Sequence, residues 1–127
     1  MKDIKFNFED LKVYQKSLDF IDFTYKTCNT FPKDEAYRLT SQFIRASTSI
    51  ALNIAEGAGD TNAQFNRYLQ IAIGSVKECV VCSTIAQRQK YITNELDLEI
   101  RGKLEELSKM ITSLQKYLKN NNTNSTN

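Results

Sequence analysis

The stretch that decides the fold is residues 39–57, LTSQFIRASTSIALNIAEG. Its large apolar residues recur at spacings of three and four, which places them on one face of an α-helix. This apolar row consists of Leu39, Phe43, Ala46, Ile50 and Ile54. A helix with such a row must bury it against other elements. The two glycines at 57 and 59 then form a natural helix stop.

A second, polar row runs beside the apolar one. Serine and asparagine are poor helix formers for an exposed interior turn. The row is therefore either a solvent face or a half-buried hydrogen-bond network, and the residues leave both open. If it is buried, Arg45 needs a carboxylate, because an unpaired buried charge costs several kcal/mol. The predicted network consists of Gln42, Arg45, Ser49, Asn53, Glu56 and Glu78. Glu78 on the third helix and Glu56 on the same helix are the two candidate acids for Arg45.

The same spacing rule predicts three further helices. The first covers about residues 8–30, with a core row of Leu11, Tyr14, Leu18, Ile21, Tyr25 and Cys28. Pro32 separates it from the second helix, residues 34–56. The third opens at Thr61, with Gln64 at capping-box spacing, and continues to about residue 89. The fourth opens at Thr93 or Asn94. Its core row is Leu96, Ile100, Leu104, Leu107, Ile111, Leu114 and Leu118.

Short connections between long amphipathic helices make sequential helices antiparallel. The prediction is an all-α, antiparallel up-down-up-down four-helix bundle. A chain of 127 residues with one proline and four glycines fits one domain and little turn chemistry. Residues 1–119 are predicted to form this domain. The polar run 120–127 is predicted to be a disordered tail.

Residue types argue against an enzyme. The chain has no histidine, which removes the commonest general base and metal ligand. Cys79 and Cys82 form a CxxC pair in the middle of a helix, and Cys28 is only a third thiol, whereas a structural zinc site needs four ligands. Core packing is favoured over redox or metal use for these cysteines. We predict no catalytic, cofactor-binding or metal-binding residues and no cofactor.

The charge and hydropathy of the chain limit where the protein can be located and what it can bind. The first fourteen residues, MKDIKFNFEDLKVY, carry charges throughout and lack the apolar segment of a signal peptide. No uncharged apolar stretch approaches the ~18 residues of a membrane span. The expectation is a cytoplasmic protein with no membrane partner. The net charge of +2 is too small to identify a nucleic-acid binder.

Several motifs carry a family resemblance. LTSQ at 39–42, RASTSI at 45–50 and NIAEG at 53–57, with FEDLKVY at 8–14, resemble the S23, or 23S rRNA intervening-sequence, four-helix-bundle family. Supporting matches are Phe31-Pro32, Phe65, Tyr68-Leu69, Ile71-Ala72, Gly74-Ser75 and Glu78. The resemblance implies a ring-like homopentamer with no enzymatic activity. Some members are encoded inside intervening sequences of bacterial 23S rRNA genes. The family is also similar to the accessory variability protein of diversity-generating retroelements, which binds nucleic acid and a reverse transcriptase.

Two functional hypotheses follow. The first is a homo-oligomeric RNA- or DNA-binding accessory protein, linked to 23S rRNA intervening sequences or to retroelements, with a reverse transcriptase as a possible protein partner. Its candidate phosphate contacts are Lys33, Arg38, Arg67, Lys77, Arg88 and Lys90. The second is a structural or protein-interaction scaffold without a nucleic-acid partner. Aromatic residues outside the predicted core rows would then make the contacts, namely Phe20, Phe23, Tyr37 and Tyr68.

Overall fold

The computed structural model describes the backbone of residues 3–125 and the side chains of residues 3–121. Within that range the regular structure is helical throughout. The helices are α1 (Lys12–Cys28), α2 (Leu39–Gly57), α3 (Asn62–Arg88) and α4 (Asn94–Ser125). Short 3₁₀ turns at Asn7–Asp10 and Lys33–Glu35 precede α1 and α2. The predicted first and second helices thus each begin with a 3₁₀ turn that is separate from the α-helix.

Side-chain contacts give the directions of the helices. Arg45 of α2 contacts Glu78 of α3, and Ser49 contacts Ser75, so numbers fall along α3 as they rise along α2. The same reversal holds between α3 and α4 in the pairs Ser83–Asp97 and Gln70–Gln115. Lys16 and Phe23 of α1 contact Glu106 and Lys103 of α4, so α1 is also antiparallel to α4. The all-α, up-down-up-down bundle predicted from the sequence is confirmed.

The core lies where the apolar rows of α2 and α4 predict it. Its largest fully buried apolar side chains are Phe43, Ile50, Ile54, Leu69, Ile100, Leu104, Leu107 and Ile111. All of the α2 row is buried, and of the predicted α4 row only Leu96 and Leu114 are half-buried. The buried apolar side chains of the described residues form one continuous hydrophobic core.

The predicted core row of α1 is wrong in part: Cys28 is buried and Leu11 and Tyr14 pack against the core, but two other members do not. Leu18 and Tyr25 are exposed, whereas Phe20, which lies off that row, is buried. The true interior row also contains small hydroxyl residues, namely Ser17, Thr24 and Thr27. Each donates its hydroxyl to a carbonyl of its own helix, Ser17 to Tyr14 at 2.6 Å, Thr24 to Phe20 and Thr27 to Phe23, both at 2.9 Å. Because the hydroxyls are satisfied locally, these residues can be buried as small side chains.

Capping residues define the ends of the long helices. The Thr61 hydroxyl accepts the Gln64 N–H at 3.2 Å at the start of α3, and Thr93 accepts the Leu96 N–H at 3.0 Å before α4. Lys90 ends α3 in the left-handed region at φ 65°, and Tyr91 N–H donates to the Ala86 carbonyl at 2.8 Å. This is a Schellman motif with a lysine at the position that glycine usually occupies.

The last helix is longer than predicted. The backbone of α4 continues to Ser125, whereas the sequence predicts an end near residue 119 and a disordered tail over 120–127. Adding residues to an existing helix avoids the cost of nucleation, so a polar run can extend it. Residues 126–127 lie outside the described range, and the domain boundary at 119 stays a prediction.

Only α3, among the described residues, is long and apolar enough to cross a membrane by length and composition. A core helix of a helical bundle can meet the same criterion of length and composition. Less than half of its most apolar window is buried inside the bundle. The exposed large apolar residues of α3 are Ile71, Val81 and Ile85.

Candidate functional site

The polar row of α2 forms hydrogen bonds, but it is not buried as a whole. Arg45 donates from Nη2 to Glu78 Oε2 at 2.7 Å, and Gln42 Nε2 lies 3.5 Å from the same oxygen. The Arg45 and Glu78 side chains remain 57% and 44% exposed. Gln42 and Glu56 are also exposed. The half-buried alternative is therefore wrong at Gln42, Arg45 and Glu56, whereas Glu78 is half-buried.

The smaller residues of the row are half-buried and bonded to one another. Asn53 Nδ2 donates to the Ser49 carbonyl at 2.8 Å and to the Ser49 hydroxyl at 3.0 Å. Ser75 of α3 donates its hydroxyl to Ser49 Oγ at 2.9 Å. Short side chains here let the two helices approach closely. Gly57 shows the same closeness, since a Cβ built on it would lie 2.8 Å from Tyr68 Cβ.

A buried polar network does exist, between α3 and α4. Ser83 donates to Asp97 Oδ1 at 2.6 Å, and both residues are buried. Arg101 Nε donates to Asp97 Oδ2 at 2.9 Å, and Arg101 Nη2 also contacts the Thr84 hydroxyl. Sequence reasoning missed this cluster. Its signal was available, because Asp97 lies three residues before Ile100 on the core row of α4.

The candidate phosphate contacts do not form one patch. Tyr91 donates its hydroxyl to Glu35 at 2.7 Å, which brings the α1–α2 and α3–α4 connections to the same end of the bundle. Four of the cations are at or beside these connections, namely Lys33, Arg38, Arg88 and Lys90. Lys77 lies in the middle of α3, and Arg67 lies near the opposite end. All of these cations are exposed.

The three cysteines lie in the core. Burial raises the pKa of Cys28 to about 12 and that of Cys82 to about 11, and it raises the pKa of Cys79 further. The thiolate is the reactive and metal-binding form, so these groups are inert at neutral pH. The described residues contain no group of three or more side chains placed to hold a metal ion.

Exposed apolar side chains lie on the outer face of α2 and α3. Arg45, Ser49 and Leu52 share one side of α2 at spacings of four and three. On α3, Glu78 shares a side with exposed aliphatic residues three or seven positions away. We define the α2/α3 face by Arg45, Ser49, Leu52, Ile71, Glu78, Val81 and Ile85. Leu52, Ile71, Val81 and Ile85 are all exposed.

The aromatic residues proposed for partner contacts divide between the interior and the surface. Phe20 is buried in the core, so a contact role for it is wrong. Phe23 is half-buried, with Lys103 Nζ 4.8 Å from its ring centroid. Tyr68 is half-buried against Gly57, and Tyr37 is almost fully exposed.

The packed interior defines the class of protein, an all-α helical bundle. Its most distinctive feature is the α2/α3 face, where aliphatic and polar side chains are exposed together. A family model described as 23S rRNA-intervening sequence protein matches residues 9–113. The chain belongs to this family, and the resemblance seen in its motifs is confirmed.

A solved structure supports the same assignment. It is a protein with unknown function from the S23 ribosomal protein family of Bacteroides thetaiotaomicron. The two chains are 27% identical, the TM-score is 0.75, and the match covers 82% of this chain and 98% of the other. No curated protein matches this chain. Neither the family nor this structural relative is described with an enzymatic activity.

Proposed function

We propose that the chain is a non-enzymatic, homo-oligomeric helical bundle that binds nucleic acid as an assembly. The observation that carries this proposal is the α2/α3 face, with Leu52, Ile71, Val81 and Ile85 exposed along two neighbouring helices. Exposed aliphatic side chains that recur along two neighbouring helices, outside a core that is already complete, are typical of an interaction site.

A second copy of the chain suits this face better than a lipid surface does. The face is crossed by the Arg45–Glu78 ion pair at 2.7 Å, which a bilayer would have to desolvate. In a protein interface the same pair can stay hydrogen-bonded and select the register of association. Arg45 and Glu56 are the only charges in α2, so identical copies meet little repulsion from this helix. The family resemblance supports a pentamer as the assembly.

Assembly would also compensate for the weak charge of one chain. A net charge of +2 gives a single bundle little attraction for phosphates. A ring repeats the cations at the bundle end, Lys33, Arg38, Arg88 and Lys90, once for each copy. Several weak sites on one ligand bind with an avidity that none has alone. The partner is then an RNA or DNA connected with 23S rRNA intervening sequences or with a retroelement. A reverse transcriptase is the protein partner expected in the second case, and the location is the cytoplasm.

The assembly is tested by light scattering on wild type and two matched leucine variants. Leu52 on the α2/α3 face is 63% exposed and Leu98 on α4 is 60% exposed. Leu52→Glu places a charge in the proposed interface and should lower the mass towards one chain. Leu98→Glu adds the same charge elsewhere and should keep the wild-type mass. A monomeric wild type would refute self-assembly, and an unchanged mass for Leu52→Glu would refute this face.

Nucleic-acid binding is tested by anisotropy of a labelled structured RNA at two salt concentrations. Phosphate contacts release counterions, so the affinity should fall steeply as salt rises. Binding that is absent at low salt, or that does not change with salt, would refute this part of the proposal.

The alternative is a protein-interaction scaffold, and the nearly full exposure of Tyr37 favours it. An aromatic ring held in solvent next to α2 is a typical anchor for a protein partner. Recovery of one protein partner without RNA, lost in Tyr37→Ala, would support the scaffold over the nucleic-acid function.

A further inference from the structure

An open pocket of about 550 Å³ lies at the end of the bundle that carries the four clustered cations. Most of its lining comes from the α3–α4 connection, and Thr30 adds a contribution from the α1–α2 connection. The apolar part of the lining is Tyr91, Ile92 and Leu96, and none of the described residues that line the pocket is acidic. Its volume is within the range of ligand sites.

Tyr91 presents a fixed aromatic ring to this pocket. Its ring centroid lies 5.6 Å from that of Phe31, and its hydroxyl donates to Glu35 Oε2 at 2.7 Å. Phe31 is buried whereas Tyr91 is half-buried, so part of the Tyr91 ring is covered and the rest lines the pocket. Because the ring is already held in place, a flat group can stack on it with little further loss of side-chain freedom.

Lys90 is the unusual residue of the pocket. Its backbone is in the left-handed region at φ 65°, which glycine adopts freely and lysine does not. Its side chain is exposed and makes no ion pair or hydrogen bond within the described part of the chain. The bundle therefore gains no contact from the ammonium group that offsets the strained backbone. The ammonium group remains available to an anion at the edge of the pocket.

The free charges around the pocket are mainly positive. The other three cations of this end, like Lys90, make no ion pair within the described residues. Of the carboxylates beside the pocket, Glu35 accepts the Tyr91 hydroxyl and Asp97 is buried in its own hydrogen-bond network. Asp34 and Glu95 remain exposed, so the free cations outnumber the free carboxylates. This balance favours an anionic ligand.

We propose that the pocket takes one unpaired base of a single-stranded nucleic acid, stacked on Tyr91, while Lys90 binds the adjoining phosphate. This inference rests on the proposed nucleic-acid function and specifies its ligand. An aromatic ring beside free cations is the combination with which proteins bind single strands of any sequence. In a duplex the bases lie inside the stack, where a half-buried ring cannot reach them. An apolar protein side chain would fill the pocket but would leave Lys90 without a partner.

Anisotropy with the full chain and three labelled DNA ligands of equal length tests the base. The ligands are a single strand, the same strand annealed to its complement, and a strand of abasic nucleotides. The abasic strand keeps the phosphates and the flexibility of a single strand but has no bases. The single strand should bind at least about 5-fold more tightly than the abasic strand, as stacking of one base on an aromatic ring predicts. It should also bind more tightly than the duplex.

Tyr91→Phe and Tyr91→Leu form a matched pair that tests the ring. Both variants lose the hydrogen bond to Glu35, but only Tyr91→Leu loses the aromatic ring. Tyr91→Phe should keep the preference for the single strand over the abasic strand, and Tyr91→Leu should lose it. The same result in both variants, whether the preference is kept or lost, would refute stacking on the ring.

Lys90→Gly separates binding from stability. Glycine adopts φ 65° without strain, so this variant should melt at or above the wild-type temperature. Loss of the ammonium group should nevertheless weaken single-strand binding at least about 3-fold and lower its salt slope by about 1. The control is Lys116→Gln, which removes an exposed cation in the second half of α4 and should change the affinity less than about 2-fold. Unchanged binding by Lys90→Gly, or an equal loss in the control, would refute the role of Lys90.

The outcomes separate this pocket from the proposed function. Abasic and single strands that bind equally well, or a duplex that binds more tightly than the single strand, would refute the pocket and leave the nucleic-acid function standing. If none of the three ligands binds at low salt, the nucleic-acid function fails, and the pocket as a base site fails with it.

Discussion

Removal of the Asp97 carboxylate should destabilise the bundle more than any other single loss of charge on α4. Asp97 accepts a hydrogen bond from buried Ser83 at 2.6 Å and another from Arg101 at 2.9 Å. Asp97→Ala leaves the Ser83 hydroxyl in the core without its acceptor and removes the partner of Arg101.

The size of the loss follows from these two contacts. A buried hydrogen bond to a charged group contributes about 1.5–3 kcal/mol. The Arg101–Asp97 pair spans four residues on a helix and adds about 0.3–0.5 kcal/mol, because the arginine is partly exposed. We expect Asp97→Ala to lower the free energy of unfolding by about 2–3.5 kcal/mol. The free energy of unfolding of a native domain is only about 5–15 kcal/mol, so a change of this size is easily measured.

Urea unfolding followed by circular dichroism measures this change. The matched control is Glu105→Ala, which removes an exposed carboxylate 3.6 Å from Lys109 on the same helix. It should change the free energy of unfolding by less than about 0.5 kcal/mol. Protein concentration must be the same in all samples, since assembly would add to the apparent stability.

A double variant shows whether the hydroxyl and the carboxylate act together. Asp97→Ala combined with Ser83→Ala should lose less than the sum of the two single losses, because the second change removes the unpaired hydroxyl. Strictly additive losses, or an Asp97→Ala protein as stable as Glu105→Ala, would refute the argument.

Two further predictions concern a glycine and the thiols. Gly57→Ala places a methyl group 2.8 Å from Tyr68 Cβ and should cost about 1–3 kcal/mol, whereas Gly102→Ala meets no atom within 4 Å and should gain about 0.5–1 kcal/mol. Urea melts that rank the two variants in the opposite order would contradict the close approach of α2 and α3. Burial raises the pKa of Cys28 to about 12 and that of Cys82 to about 11, so native protein should not react with Ellman's reagent at about pH 8. Reaction within seconds before urea is added would show that these thiols are accessible.

Helix number, order and core composition could be predicted from sequence where apolar residues recur without interruption. The row from Leu39 to Ile54 and the row from Ile100 to Ile111 are both buried as expected. The caps at Thr61 and Thr93 were also predictable, because a capping side chain bonds a backbone N–H only three residues away. Such features depend on local chemistry and helical periodicity alone.

The face that α1 buries and the exposure of the α2 polar row could not be predicted this way. In α1, hydroxyl residues satisfied by their own backbone occupy the interior, so hydropathy pointed to Leu18 and Tyr25 instead. In α2, the side chain of Arg45 reaches Glu78 while staying in solvent. Periodicity predicts which residues share one face of a helix, but it does not predict which neighbouring helix that face contacts.

The sequence by itself determined an all-α bundle and its family, because these follow from residue types, their spacing and recognisable motifs. Only the tertiary structure decided which polar groups are buried and which surfaces remain open. It buried Phe20 instead of Leu18 and left Arg45 and Leu52 in solvent. The physical reason is that burial depends on how neighbouring helices are rotated about their axes, and that rotation is decided by packing between residues far apart in the chain.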